Sequence, residues 1–195
     1  MRSRFLWRAL RARLRDQAPE LAQIRRNLSP GDIACDIGAN KGSYLYWMSR
    51  WAGRVVAFEP QPGLATYLDD ACSALGMTNV TVERSGVSDA SGTREFYVPS
   101  ENSPEASLVQ HGAARSYSIP VVALDDYFPA QERVALLKID VEGGELDVLK
   151  GAERILRQHR PVLLMECEQR HLNEGTVADC LTYLAQLGYD GKFFN

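Results

Sequence analysis

From Asp32 to Gly42 the chain reads Asp-Ile-Ala-Cys-Asp-Ile-Gly-Ala-Asn-Lys-Gly, an apolar run that ends in a carboxylate and passes into a turn of small residues. Tyr44, Leu45, Trp47, Met48 and Trp51 follow at helical spacing, so the stretch predicts strand, turn and helix in succession. Small residues at 38, 39 and 42 let the backbone pass close to a ligand, and glycine tolerates a positive φ that a Cβ-bearing residue resists.

The same unit recurs downstream. Arg54 to Phe58 is a second buried strand that ends at Glu59-Pro60, and Leu64, Tyr67, Leu68, Ala71 and Leu75 stripe the next helix, with Gly76 as its C-terminal cap. Val80 to Glu83 is a third strand. Two β-α units leading to a third strand imply a parallel sheet with right-handed crossovers. The rhythm then breaks: Arg94 to Val98 alternates as a strand, but Ser85 to Tyr117 as a whole, with its turn-rich Pro99 to Pro104, is expected to be a loop excursion that could serve as a lid. Ser118 to Leu124 is another short strand and Asp125 to Tyr127 a helical turn. Val134 to Asp140 is the fourth buried strand, before a helix carrying Leu149, Ala152 and Leu156, and Val162 to Glu166 is the fifth. Val177, Leu181, Leu184 and Leu187 mark a last helix that stops at Gly188, and Tyr189 to Phe194 reads as a sixth strand.

The formal charge of -3 conceals an asymmetry, because residues 1–30 hold eight arginines against Asp16 and Glu20. Phe5, Leu6, Ala9, Leu10 and Leu14 recur at helical spacing among them, so the chain is expected to begin with a basic amphipathic helical segment over residues 1–30, ahead of a single domain over 31–195. Such a helix can lie on an anionic membrane as a peripheral contact, bind RNA, or cover one edge of the domain. A second helix runs from about Pro19 to Leu28. No run approaches a membrane span and arginines interrupt any signal-peptide core, which predicts a cytoplasmic protein. Cys35, Cys72, Cys167 and Cys180 lack the paired spacing of a zinc site and read as reduced, buried thiols in strands or helices.

In an open parallel sheet the ligand sits beyond the carboxyl ends of the strands, and here Asp36, Glu59, Asp140 and Glu166 end four of them. An acid 23 residues after Asp36 suits a ribose, since a carboxylate accepts from two vicinal hydroxyls. A dinucleotide site would want G-x-G-x-x-G. The turn Gly38-Ala39-Asn40-Lys41-Gly42 departs from it, which disfavours a pyrophosphate and favours a cofactor without phosphates, such as S-adenosylmethionine (SAM).

Asp36 to Gly42, Phe58-Glu59-Pro60, Lys138 to Gly143 with Glu145, and Leu149 to Ala152 together resemble the successive signatures of FkbM-type SAM-dependent methyltransferases, over a span from about Leu28 to Tyr189. The resemblance implies a Rossmann-like class I methyltransferase fold, α/β with a mostly parallel sheet and helices on both faces, and methylation of a hydroxyl on a carbohydrate or a polyketide-like small molecule. It places Gly38, Ala39, Asn40 and Gly42 around the methionine and ribose parts of SAM with Asp36 supporting the turn, Glu59 on the ribose, Val87 and Ser88 near adenine, and Asp140 at the methyl-facing end of the fourth strand. Glu142 either faces the acceptor or caps the helix after Gly144. The fold's final antiparallel strand is missing up to Asn195, so the sequence is incomplete, a partner completes the edge, or a sixth strand stays open, and an open edge invites a homo-oligomer.

Methyl transfer to oxygen needs the acceptor aligned with the methyl and a group that takes the hydroxyl proton. His171, beyond the fifth strand, is the first choice of base, ahead of His111 and His159, with Asp140 and Glu142 as further catalytic candidates. Asp140 and Glu166 could together hold Mg2+, but hard cations want more oxygen ligands than can be assigned, so no metal site is predicted. The expected function is a SAM-dependent O-methyltransferase. The alternative is a catalytically silent SAM-binding or interaction subunit. An RNA methyltransferase ranks lower, and the absence of an Asn/Asp-Pro-Pro-Tyr/Phe tetrapeptide after the fourth strand argues against amino-methylating enzymes of DNA.

Overall fold

The structure, a computed structural model, describes residues 2–98, 106–108, 115–167 and 176–192. The elements in chain order are α1 (Arg2–Arg11), a π-helical turn (Ala12–Asp16), α2 (Ala18–Asn27), β1 (Ile33–Ile37), α3 (Leu45–Trp51), β2 (Arg54–Phe58), α4 (Pro62–Leu75) and β3 (Val80–Glu83). There follow β4 (Gly86–Val87), β5 (Gly92–Val98), β6 (Arg115–Val122), α5 (Leu124–Tyr127), β7 (Val134–Ile139), α6 (Glu145–Lys150), α7 (Glu153–Gln158), β8 (Val162–Met165) and α8 (Val177–Gln186).

The central sheet has the order β3-β2-β1-β7-β8 and every pairing in it is parallel. From β1 the chain winds outward to β2 and β3, then returns to the other side of β1 with β7, which opens a crevice between the carboxyl ends of β1 and β7. Alternation along each strand divides the core. Ala34 of β1, Val55 and Ala57 of β2 and Leu136 of β7 face the layer of α1 to α4, packing with Phe5, Leu21, Ile24, Met48 and Leu68. Cys35, Ile37, Val56, Phe58, Leu137 and Ile139 face α5 to α8, against Leu124, Phe128, Leu149, Ile155 and Leu156. Asp36 and Lys138 alternate onto the first of these faces and lie side by side in the register of β1 and β7.

The expected loop excursion after β3 is instead a second sheet. β4 pairs parallel with β6, and β5 runs antiparallel to β6 along its length, over a small core of Phe96, Val98, Ala106, Ile119 and Val121. The alternation of residues 94–98 was visible in the sequence, but its partner strand begins at Arg115, and most of the residues between lie outside those described. The helix expected across Leu149, Ala152 and Leu156 is two helices. A Cβ at Gly151 would stand 2.0 Å from the Ser88 carbonyl oxygen, so this close approach sits at the break between α6 and α7. The expected sixth strand fails over its described part: residues 189–192 form no strand. There the Tyr189 hydroxyl donates to the Leu156 carbonyl, and the Arg160 guanidinium stacks over the Tyr189 ring. Cys167 lies just past β8 rather than within an element, with its Sγ 4.0 Å from that of Cys180, and all four cysteines are free thiols. No described helix is long and apolar enough to cross a membrane.

Candidate functional site

The turn after β1 takes left-handed backbone at Gly38 (φ 72), Asn40 (φ 48) and Gly42 (φ 73). Gly38 is required by proximity as well as by φ, since a Cβ there would lie 1.8 Å from the Asp140 carbonyl oxygen across the β1/β7 crevice. Both Gly38 and Ala39 donate their backbone N–H to the Phe58 carbonyl, which ties the turn to the end of β2. Glu59 completes that tie. Its Oε2 accepts from the Asn40 N–H at 2.7 Å and its Oε1 from the Gln61 N–H at 2.9 Å, with the residue 3% exposed. Burial pushes its carboxyl up to about 7, against the two backbone N–H groups and Lys138, which favour the charged form. Each carboxylate oxygen keeps a lone pair for a further donor.

Behind the turn lies a buried ion pair. Lys138 Nζ donates to the Gly38 carbonyl at 2.9 Å and stands 3.1 Å from Asp36 Oδ1 and 3.5 Å from Asp140 Oδ2. Burial works against the ammonium, but the carboxylates of Asp36 and Asp140 outweigh it and hold Lys138 above the usual lysine range. Burial likewise pushes Asp36 up against the pull of Lys138. Lys138 thus binds the turn, the core of β1 and the end of β7 into one unit. Its Nζ also lies 5.3 Å from the Tyr44 ring centroid, and burial together with the carboxylates of Glu20, Asp36, Asp140 and Glu166 raises the Tyr44 phenol.

Two clefts meet here. The first is lined by Gly38, Asn40, Glu59, Gln61, Val87, Asp140, Val141, Glu142, Gly144 and Glu166, and is roofed from the second sheet by Phe96, Ala106 and Leu108. The second opens on the α2 side of β7 and β8, between Glu20, Tyr44, Lys138, Leu164, Cys167 and Lys192. Asp140 and Glu166 belong to both and form the wall they share. After β7, Glu142 is held in left-handed backbone (φ 56) and its carbonyl accepts from Ser107 Oγ at 2.6 Å, which pins the second sheet to the site. The acid that reaches back to the start of α6 is Glu145, whose Oε1 accepts from the Gly143 N–H at 3.0 Å, while its other oxygen is buried without a hydrogen-bond partner.

Of the residues singled out from the sequence, Gly38, Asn40, Glu59, Val87, Asp140 and Glu142 line the first cleft. Asp36 and Ala39 sit behind it, and Gly42 is filled from behind by Phe5 and Leu68, whose atoms would be 2.7 and 2.9 Å from a Cβ. Ser88 is turned away from the cleft: it is buried, its N–H donates to the Val122 carbonyl, and its own carbonyl packs on Gly151. His159 stands at the opposite end of the sheet, where Nδ1 accepts from the Val134 N–H and Nε2 faces the Ala130 carbonyl. His171 and His111 lie outside the described residues. Among the described residues no group of three or more His, Cys, Asp or Glu side chains is placed to hold a metal ion. Sequence reasoning gave no separate role to Lys138, Tyr44 or Ser107. For Lys138 a signal existed, because a lysine between Leu137 and Ile139 in a buried strand must find a counter-charge, and Asp36 occupies a matching strand end.

A family model, described as the methyltransferase FkbM domain, matches residues 36–190. The hexuronic acid methyltransferase AglP of Haloferax volcanii is 32% identical over 152 residues, covering 74% of this chain and 61% of that protein. Methyltransferase 1 of Beauveria bassiana is 29% identical over 144 residues, covering 60% of this chain and 57% of its own length. The chain therefore spans between 57% and 61% of these two curated relatives. Among solved structures, a methyltransferase FkbM from Methylobacillus flagellatus superposes with a TM-score of 0.61 at 20% identity, over 93% of this chain and 47% of that one. SMU.1697c of Streptococcus mutans, solved in complex with SAH, superposes with a TM-score of 0.55 at 14% identity, over 87% of this chain and 80% of that one.

Proposed function

The chain belongs to the FkbM methyltransferase family, and on that premise we propose that it is a SAM-dependent O-methyltransferase acting on a hydroxyl of a carbohydrate or small-molecule acceptor. The observation that carries the proposal is Glu59, a nearly fully buried carboxylate clamped to the Asn40 turn and lining the first cleft. The fit of SAM rests on three local features. Gly38 leaves the space a Cβ would fill, the Asn40 side-chain oxygen is buried without a partner, and Glu59 retains acceptor capacity on both oxygens. Gly38 and Asn40 would hold the methionine and ribose end, Glu59 the ribose hydroxyls, and Val87 the adenine side, while SAM supplies a methyl group on a sulfonium. The named relatives include one whose stated substrate is a hexuronic acid, which supports a sugar acceptor here.

The second cleft is the acceptor's route to the wall formed by Asp140 and Glu166, where an oxygen can be aligned and its proton taken by a carboxylate; His171, the first choice of base from the sequence, lies outside the described residues. Calorimetry with SAM and with NAD tests the cofactor. SAM binding without NAD binding is expected, and the reverse would refute the site. A panel of sugar acceptors, including free uronic acids, then tests turnover, with His171→Ala expected to lower kcat and leave SAM affinity intact. The second reading is a SAM-binding, catalytically silent subunit, since the acids Asp140, Glu142 and Glu166 all line the first cleft and none is singled out as the base. SAM binding with no product across the panel would favour it.

A further inference from the structure

The first helix has two apolar faces, and only one of them is used by the fold. Phe5 and Ala9 of α1, with Ala12 of the π-helical turn, point inward and are buried. The Phe5 ring packs against Tyr46 and Tyr67, with centroids 6.4 and 6.1 Å away, and Trp47 Nε1 donates to the Ala9 carbonyl at 2.7 Å. The helix is therefore anchored. On its outer side stand Trp7, Leu10 and Leu14, which are 61%, 48% and 74% exposed. Their spacing of i, i+3, i+7 makes one continuous stripe on the side away from Phe5 and Ala9. The only other large apolar side chains exposed among the described residues are Tyr117 and Leu181, at 37% and 40%.

Cations border that stripe. Arg2, Arg4, Arg11, Arg13 and Arg15 are all exposed, and the one acid between residues 2 and 17, Asp16, is paired with Arg11 at 2.8 Å. Within α1, at 3.6 residues per turn, Arg4 and Arg11 fall on one flank of the stripe and Arg2 on the other, while in the π-helical turn Arg15 adds a further exposed cation and the Arg13 guanidinium lies 4.3 Å from the Trp47 ring centroid. An apolar ridge with a tryptophan, edged on both sides by guanidinium groups, has its chemical complement in the headgroup region of an anionic bilayer: acyl chains receive Trp7, Leu10 and Leu14 while phosphates receive the arginines. A nucleic acid would match the arginines but leave the ridge in water.

We propose that the outer face of α1 and the π-helical turn docks on an anionic phospholipid surface, with the helix lying in the interface plane and the chain peripheral to the membrane. The proposal stands apart from the cofactor reading, because it uses no residue of either cleft. The test is co-sedimentation of the full chain with phosphatidylcholine vesicles and with equimolar phosphatidylcholine and phosphatidylglycerol vesicles. The chain is expected to pellet with the anionic vesicles and to stay in solution with the neutral ones. Trp7→Ser, Leu10→Ser and Leu14→Ser combined should lower the partition coefficient by roughly tenfold or more while the circular dichroism spectrum is kept, since these side chains touch little of the core. A second readout does not depend on that variant's folding: lipids brominated in the acyl chain should quench tryptophan emission in the wild type and much less in Trp7→Phe. The proposal is overturned if the anionic vesicles leave the chain in solution, if the triple variant partitions as the wild type does, or if RNA retains the chain and vesicles do not. It is equally overturned if sedimentation velocity shows self-association that the triple variant abolishes, which would make the stripe an interface between copies.

Discussion

Replacing Glu59 with glutamine removes one charge from the first cleft and changes how the site responds to pH. In the free protein burial holds the Glu59 carboxyl at about 7, and both its oxygens already accept a backbone N–H. A ribose hydroxyl adds a donor, which the ionised form accepts best, so SAM binding is expected to drive out the proton that Glu59 carries below this pKa. Affinity then follows the ionised fraction, about one in eleven at about pH 6 and about ten in eleven at about pH 8, a ratio of roughly tenfold or about 1.4 kcal/mol. SAM should bind more tightly as pH rises to about 8 and change little from this source beyond it. The glutamine variant has no proton to release, and its amide must point an N–H at the backbone N–H of Asn40 or Gln61, so its affinity should be lower by about 1–3 kcal/mol. Calorimetry at the two pH values in buffers of different ionisation enthalpy reads both quantities, as an affinity ratio and as protons released. Equal wild-type affinities at both pH values, or the same ratio in Glu59→Gln, would show that Glu59 does not ionise on SAM binding. The same group sets a stability slope of opposite sense. A carboxyl raised from 4.5 to about 7 on folding holds more protons in the native than in the unfolded state across that window. Its contribution to the free protein's stability therefore falls as pH rises through the window, by about 3 kcal/mol in all, and is level on either side.

Two further substitutions probe the scaffold under the site. Lys138→Met leaves Asp36 and Asp140 without their counter-ion and should destabilise the chain by about 3–5 kcal/mol in urea unfolding. Adding Asp36→Asn should recover part of that loss, and a double variant no more stable than Lys138→Met alone would argue against the pair. Gly38→Ala drives a Cβ into the Asp140 carbonyl at 1.8 Å, whereas Gly76→Ala meets nothing within 4 Å. Both positions have positive φ, so a shared strain of about 1 kcal/mol is expected, with loss of SAM binding confined to Gly38→Ala. Equal effects of the two on SAM affinity would show that close approach at the crevice is unimportant.

How far the site could be read from the sequence depended on the distance between the groups involved. The Gly38 to Gly42 turn and Glu59 were legible because the chemistry lies in short segments whose backbone demands are local. From the sequence Glu142 reads either as an acceptor contact or as a helix cap, and the structure sets Glu145 against the start of α6 while Glu142 lines the cleft. The family resemblance puts Ser88 near adenine by its position after the third strand, but its bond to the Val122 carbonyl and the Gly151 contact turn it away from the cleft that its neighbour Val87 lines. Ser107, which fixes the carbonyl of Glu142, had no sequence signal, because it acts from a short bridge to Tyr97 in the second sheet.

Local patterning alone accounts for the alternation of five apolar strands with amphipathic helices, the sharp turn after the first strand and the row of acids at strand ends. These follow from period-2 and period-3.6 patterning and from the φ tolerance of glycine, which neighbouring residues decide among themselves. Long-range packing is what sets Lys138 against Asp36 across a gap of 102 residues, parts α6 from α7 at Gly151, and divides the apolar residues of the first helix into a buried face and an exposed one. Each of these depends on strand order, register or the direction in which a helix docks, and those are set by the fit of distant surfaces, which no local pattern encodes.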